Sequence, residues 1–110
     1  MTEVSDQRDA LRELLRELVK AALISDPELI AAARARGLAA HAKLGGDVGG
    51  ASGVWASAVR EAEADPAVAR AEVANPILPA TLPVPPATLG GAAFDFDAAA
   101  RIIRESSSFG

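Results

Sequence analysis

The residue best suited to metal binding or acid–base chemistry is His41, the single histidine of a chain without cysteine. A zinc site would have to combine it with carboxylates alone, which is an uncommon ligand set. A serine nucleophile is the other option, but Val54 stands where the Gly-x-Ser-x-Gly turn around Ser52 needs its second glycine. We therefore expect His41 to be a surface or packed helix residue, and we predict neither a catalytic nor a metal site.

A glycine-rich segment over residues 45–53 suggests phosphate binding. Gly45 and Gly50 have the spacing of a P-loop, but Ala51 stands at the position of its lysine. Backbone amides at the start of the next helix are an alternative anion site. Five glycines in nine residues mainly indicate a loop.

Two pairs of carboxylates have a spacing that would suit acid–base work, Glu61 with Asp65 and Asp95 with Asp97. General acid–base catalysis needs one carboxyl group in an apolar or charged environment that shifts its pKa. The sequence around these pairs requires no such environment. We expect solvated helix faces and helix caps instead, and no cofactor.

Composition and charge limit the classes of function that remain possible for this chain. Alanine supplies 26 of the 110 residues, so the chain has few bulky side chains for one small domain and is expected to be marginally stable alone. The net charge of −4 and the lack of a basic stripe argue against nucleic acid. No apolar run approaches membrane-spanning length, and residues 2–16 carry alternating charges instead of a signal-peptide core. With no cysteine, a cytoplasmic location is expected.

The first predicted helix covers residues 5–24. Its apolar stripe recurs at three- and four-residue steps and comprises Leu11, Leu14, Leu15, Leu18, Val19 and Ala22. Opposite charges three residues apart are expected on its solvent face, namely Asp9–Arg12, Glu13–Arg16 and Glu17–Lys20. The stripe suits either a docking helix, including half of a coiled coil, or a core helix of this domain.

Three further helices complete a predicted body over residues 1–75. Ser25 and Glu28 fit a capping box ahead of the second helix, in which Gly37 is expected to introduce a kink or an end. The third helix contains Trp55, either a core side chain or an interface anchor, and Asp65-Pro66 opens the fourth. The prediction is an all-α fold, a small bundle of helical hairpins.

Residues 76–91 form a predicted strap, because residues 76–89 contain five of the seven prolines and exclude a regular helix. An ordinary linker is polar, but this one is apolar at Ile77, Leu78, Leu82, Val84 and Leu89. We therefore expect an extended segment lying along a surface, either of its own domain or of a partner.

Residues 92–110 are predicted to form a short C-terminal helix and a frayed tail. Phe96, Ala99, Ala100 and Ile103 share one face, with Phe94 nearby. This helix either docks into a partner's groove or folds back on its own domain. The full set of predicted partner-binding residues is Leu11, Leu15, Leu18, Trp55, Ile77, Leu78, Leu82, Val84, Phe94, Phe96, Ile102 and Ile103.

A short stretch resembles a known family. Asp65-Pro66-Ala67-Val68 followed by Asn75-Pro76 is similar to the end of nitrile-hydratase-like leader peptides, over about twelve residues. The family has an aromatic residue where this chain has Val68. Leu89-Gly90-Gly91 also looks like a double-glycine cleavage site, and cutting there would release residues 92–110, with three serines available for dehydration. The same glycines would serve equally as a hinge.

Two functions remain from the sequence. The first is a non-catalytic accessory subunit or adaptor that docks onto a larger protein or enzyme complex, or onto a further copy of this chain, through the strap and the C-terminal helix. The alternative is a precursor of a ribosomally synthesised modified peptide, with a helical leader and a core after Gly91. An enzyme acting alone is the least favoured class.

Overall fold

The structure is a computed structural model that describes residues 2–24, 26–44, 51–69, 76–90 and 94–109. The helices of these ranges are α1 (Thr2–Leu23), α2 (Pro27–Leu44), α3 (Ala51–Glu63), α4 (Pro66–Ala69), α5 (Pro86–Gly90) and α6 (Phe96–Ser106). Two two-residue strands, β1 (Pro76–Ile77) and β2 (Ser108–Phe109), pair antiparallel. The prediction of an all-α fold is confirmed.

Helix α1 is the centre of the bundle, because α2, α3 and α6 all pack against it. Its C-terminal half is a nearly continuous apolar run, and every residue from Glu17 to Leu23 is buried. A helix that is apolar on all sides has to be covered on several sides. The stripe of leucines and Val19 on α1 therefore forms the core of this domain, which is the second of the two roles that the sequence allowed.

The beginnings of α2 and α6 follow from local chemistry. Pro27 opens α2, where a missing N–H costs nothing, and the Asp26 side chain accepts a hydrogen bond from the Glu28 N–H at 2.9 Å. Ser25, the predicted cap, lies outside the described residues. Helix α6 is capped by Asp95, whose Oδ1 accepts from the Ala98 N–H at 3.1 Å, so this carboxylate has the predicted capping role.

The strap and the tail differ from expectation in two places. Residues 86–90 form the short helix α5, which begins at Pro86, the one helical position that proline suits. The tail is not wholly frayed, because Ile77 pairs with Ser108 and Pro76 with Phe109. The glycine-rich residues 45–50, residues 70–75 of the fourth predicted helix, and Gly91 all lie outside the described residues.

Gly37 neither ends nor interrupts α2, which continues to Leu44. It is buried, and a Cβ at this position would lie 2.4 Å from Cε2 of the Phe96 ring. Real Cβ atoms do not approach a carbon so closely, and the ring is itself only 3% exposed. The glycine is therefore explained by close packing of α6 on α2 rather than by helix termination.

We expect Gly37→Ala to destabilise the fold by about 1–3 kcal/mol, because overpacking outweighs the better helix propensity of alanine. Gly53→Ala is the matched control, since nothing lies within 4 Å of its Cβ position in α3 and only the propensity gain should remain. Urea unfolding followed by circular dichroism measures both. If the overpacking explanation is wrong, Gly37→Ala will stabilise the protein as Gly53→Ala does.

Candidate protein-binding site

The structure places seven of the twelve predicted partner-binding residues inside the chain's own core. Each is 3% exposed or less, and the seven are Leu11, Leu15, Leu18, Trp55, Val84, Phe96 and Ile103. Side chains buried to this extent cannot touch a partner without local opening. Of the two placements left open by the sequence, α6 takes the one in which it folds back on its own domain.

The other predicted residues lie at the edge of the same core. Leu78, Leu82, Phe94 and Ile102 are partly buried and pack against it, whereas the side chain of Ile77 is not described. The strap is also held by a hydrogen bond, which the Trp55 indole Nε1–H donates to the Pro79 carbonyl at 2.9 Å. The strap thus follows the surface of its own domain.

A charged cluster that the sequence did not predict surrounds Glu17, whose side chain is fully buried. One carboxylate oxygen lies 3.0 Å from Nε of Arg16, and the other lies 2.9 Å from Nε of Arg36 and 3.4 Å from Nζ of Lys20. Lys20 in turn lies 2.8 Å from Asp65. The expectation that the Glu17–Lys20 pair faces solvent is wrong, because the neighbouring helices cover this side of α1 as well.

The cluster links three parts of the chain. Arg36 joins it from α2, Asp65 from the turn before α4, and Glu61 from α3, where its carboxylate lies 3.3 Å from Arg16 and 2.9 Å from Arg12. Partial burial tends to lower the pKa of Arg16, but hydrogen bonds and charge attraction from Glu17, Glu61 and Glu13 raise it overall.

A cavity of about 300 Å³ opens on this cluster, lined by Arg16, Glu17, Lys20, Arg36, Glu61, Ala64 and Asp65. Its three acidic and three basic side chains are paired with one another. An entering ligand would have to displace these ion pairs, so the cavity offers no unsatisfied charge for binding. We assign the cluster the structural role of fixing α2 and α3 against α1.

The residues considered for catalysis are also engaged structurally. His41 stacks on Phe94 with ring centroids 4.5 Å apart, and its Nε2 is buried without a hydrogen-bond partner among the described residues. Asp97 pairs with Arg34 at 3.0 Å. Within the described ranges, no group of three acidic or histidine side chains has an arrangement that could hold a metal ion.

A groove between α1, α2 and α6 has the features of a binding site instead. Its volume is about 200 Å³, and its apolar lining consists of Ala21, Ala22, Ile30 and Ala100. Arg101 and Arg104, one turn apart on α6, form its rim together with Asp97. Both arginines are exposed, and neither forms an ion pair with any residue that the structure describes.

The sequence contained a signal for this groove that the prediction did not use. The inward face of α6 consists of Phe96, Ala99, Ala100 and Ile103, so the arginines that follow Ala100 and Ile103 must emerge beside it. Arg101 and Arg104 stand at i,i+3 and can both face a partner, although Asp97 and Glu105 each lie four residues from Arg101. The groove itself, however, depends on how α1 and α2 approach α6.

Comparison of the chain with protein-family models, with curated proteins and with solved structures finds no match. The described helices include none whose length and apolar character would allow it to cross a bilayer.

Proposed function

We propose that this chain is a non-catalytic accessory subunit or adaptor that docks onto a larger protein or enzyme complex. The observation that carries the proposal is the groove between α1, α2 and α6, with its apolar floor and two arginines that form no ion pair with a described residue. The C-terminal helix remains the docking element, but it presents its outer edge rather than its phenylalanines. The strap then contributes by holding the domain together.

The chemistry of the groove indicates what it would bind. The apolar floor has room for one aliphatic side chain, and burial of such a side chain supplies binding free energy of about 1.5–3 kcal/mol. Arg101 and Arg104 can each bind a carboxylate through paired N–H groups. The fitting partner is therefore a surface segment in which an aliphatic residue is flanked by aspartate or glutamate.

Purification of the intact chain from its native source, followed by mass spectrometry, tests whether it acts as a subunit. The expected result is a stoichiometric complex in which the chain is uncut on both sides of Gly91. The peptide-precursor alternative predicts a modified fragment of residues 92–110 and a separate leader. In that case the subunit proposal fails.

Reversing both groove charges tests the site. We expect the double variant Arg101→Glu, Arg104→Glu to lose at least about tenfold in affinity for the purified complex partner, because two attractions become repulsions. The control is the double variant Arg8→Glu, Arg60→Glu, which makes the same change in net charge at exposed arginines away from the groove. Equal losses in the two variants, measured by isothermal titration calorimetry, would place the contact elsewhere.

A further inference from the structure

The outward face of α2 is apolar along most of its length. Ala31, Ala35, Leu38 and Ala42 follow one another at steps of four, three and four residues, which is the spacing of a helix–helix seam. All four are exposed, and Leu38 is 43% exposed. The opposite side of α2 is packed on α1. A helix that is apolar on both sides is typical of one that is covered on both sides.

We propose that this face binds the same face of a second copy of the chain, with the two α2 helices antiparallel. In that arrangement Ala31 lies opposite Ala42 of the second copy, and Ala35 lies opposite Leu38 of the second copy. Each large side chain therefore meets a small one at the centre. The alanines allow the two helix backbones to approach closely.

The charges at the two ends of the seam select this partner and this orientation. Glu28 stands near the start of α2 and Lys43 near its end, both are exposed, and neither forms an ion pair with a described residue. Antiparallel pairing about the centre of the seam brings Glu28 to within about 3 Å, along the axis, of Lys43 of the second copy. The two-fold axis keeps both on the same flank and forms the contact twice.

In a parallel pair both copies of Glu28 stand at one end of the seam and both copies of Lys43 at the other, so the attraction between Glu28 and Lys43 is lost. The antiparallel pair also sets the two helix dipoles against each other favourably. The face is therefore complementary to itself in one orientation only. Ile30, which lines the groove, lies about 100° around α2 from the seam, on the flank away from Glu28 and Lys43, so two copies joined in this way would leave both grooves open.

This inference goes beyond the proposed function and is tested without any partner. Sedimentation velocity over a concentration series that reaches the high-micromolar range should show a reversible monomer–dimer equilibrium. Leu38→Glu and Ala35→Glu should each abolish the dimer while leaving the circular dichroism spectrum unchanged, since both sites are exposed. Ser57→Glu, exposed on α3, is the control and should dimerise as the parent chain does.

Exchanging the charges of Glu28 and Lys43 tests the relative orientation of the two α2 helices. Glu28→Lys and Lys43→Glu should each weaken the dimer about tenfold, because two weak attractions become two repulsions. The double variant should restore the original dissociation constant. Because the chain has no cysteine, Ala31→Cys and Ala42→Cys can also be introduced singly. Under oxidation the mixture of these two variants should cross-link, whereas each alone should cross-link poorly.

Three results would overturn the proposal. A parent chain that stays monomeric throughout the concentration series excludes the dimer. A dimer that survives both Leu38→Glu and Ala35→Glu uses another surface. Strong cross-linking of Ala31→Cys with itself indicates parallel helices.

Discussion

Glu17→Ala is expected to destabilise the fold by about 3–5 kcal/mol, which is a large part of the stability of a domain of this size. Removal of the carboxylate leaves the Lys20 side chain, only 8% exposed, without its partner on α1. It also removes the charge that holds Arg36 of α2. Lys20 then keeps Asp65, at 2.8 Å, as its counter-charge, so a nearly buried cation is left with half of the compensation that it had, which is costly. Urea unfolding monitored by Trp55 fluorescence and by circular dichroism gives the magnitude.

Glu13→Ala provides a matched control on the same helix. Glu13 forms a single looser contact of 3.8 Å with Arg16 and is partly exposed, so its removal should change the stability by no more than about 0.5 kcal/mol. The loss of stability in Glu17→Gln should lie between the losses in Glu17→Ala and Glu13→Ala, since the amide still accepts hydrogen bonds but carries no charge. If Glu17→Ala unfolds at the same urea concentration as Glu13→Ala, the cluster is not what joins the helices.

The helices of this chain can be predicted from its sequence because the residue patterns that indicate them are local. The three- and four-residue spacing of the leucines predicts α1, Pro27 marks the start of α2, and Asp95 caps α6. Each signal acts within about one helical turn. The all-α class follows from these elements without knowledge of how they pack.

The burial of individual side chains is harder to predict from the sequence, because it depends on how many other helices pack against the helix that carries them. Glu17 lies beside the leucine stripe, and a helix covered on one side only would leave it in water. The helices packed around α1 bury it, and α2 also brings Arg36 to its carboxylate. The stretch from Leu18 to Ile24, apolar except for Lys20, was the available signal, since a helix of this kind is seldom exposed on any side.

The sequence also could not decide whether the C-terminal helix packs on its own domain or on a partner. An amphipathic helix after a proline-rich segment has the same pattern whether it docks on its own domain or on another. The deciding feature is Gly37, which leaves room for the Phe96 ring on α2. In the sequence, that glycine was equally compatible with a helix end.

Deletion of residues 94–110 is expected to unfold most of the body rather than leave it intact. Residues 1–75 were predicted to form the body, but the structure packs Phe96 and Ile103 of α6 into the core at 3% and 0% exposure. Loss of a buried phenylalanine costs about 3–5 kcal/mol and of a buried isoleucine about 2–5 kcal/mol. Their sum approaches the whole stability of a small domain.

The prediction is measured as loss of the cooperative urea transition in circular dichroism and a red shift of Trp55 fluorescence. Deletion of residues 108–110 alone is the control, because it removes the two-residue pairing of β2 with β1 but keeps α6, and it should leave the transition in place. A truncated chain that keeps both its helicity and its urea midpoint would show that α6 only rests on the bundle. Such a chain would leave α6 free to bind a partner through its phenylalanine face. If the truncated chain loses the transition, adding a synthetic peptide of residues 94–110 should restore it. The peptide can supply the missing α6, which packs on α1 and α2 in the folded domain.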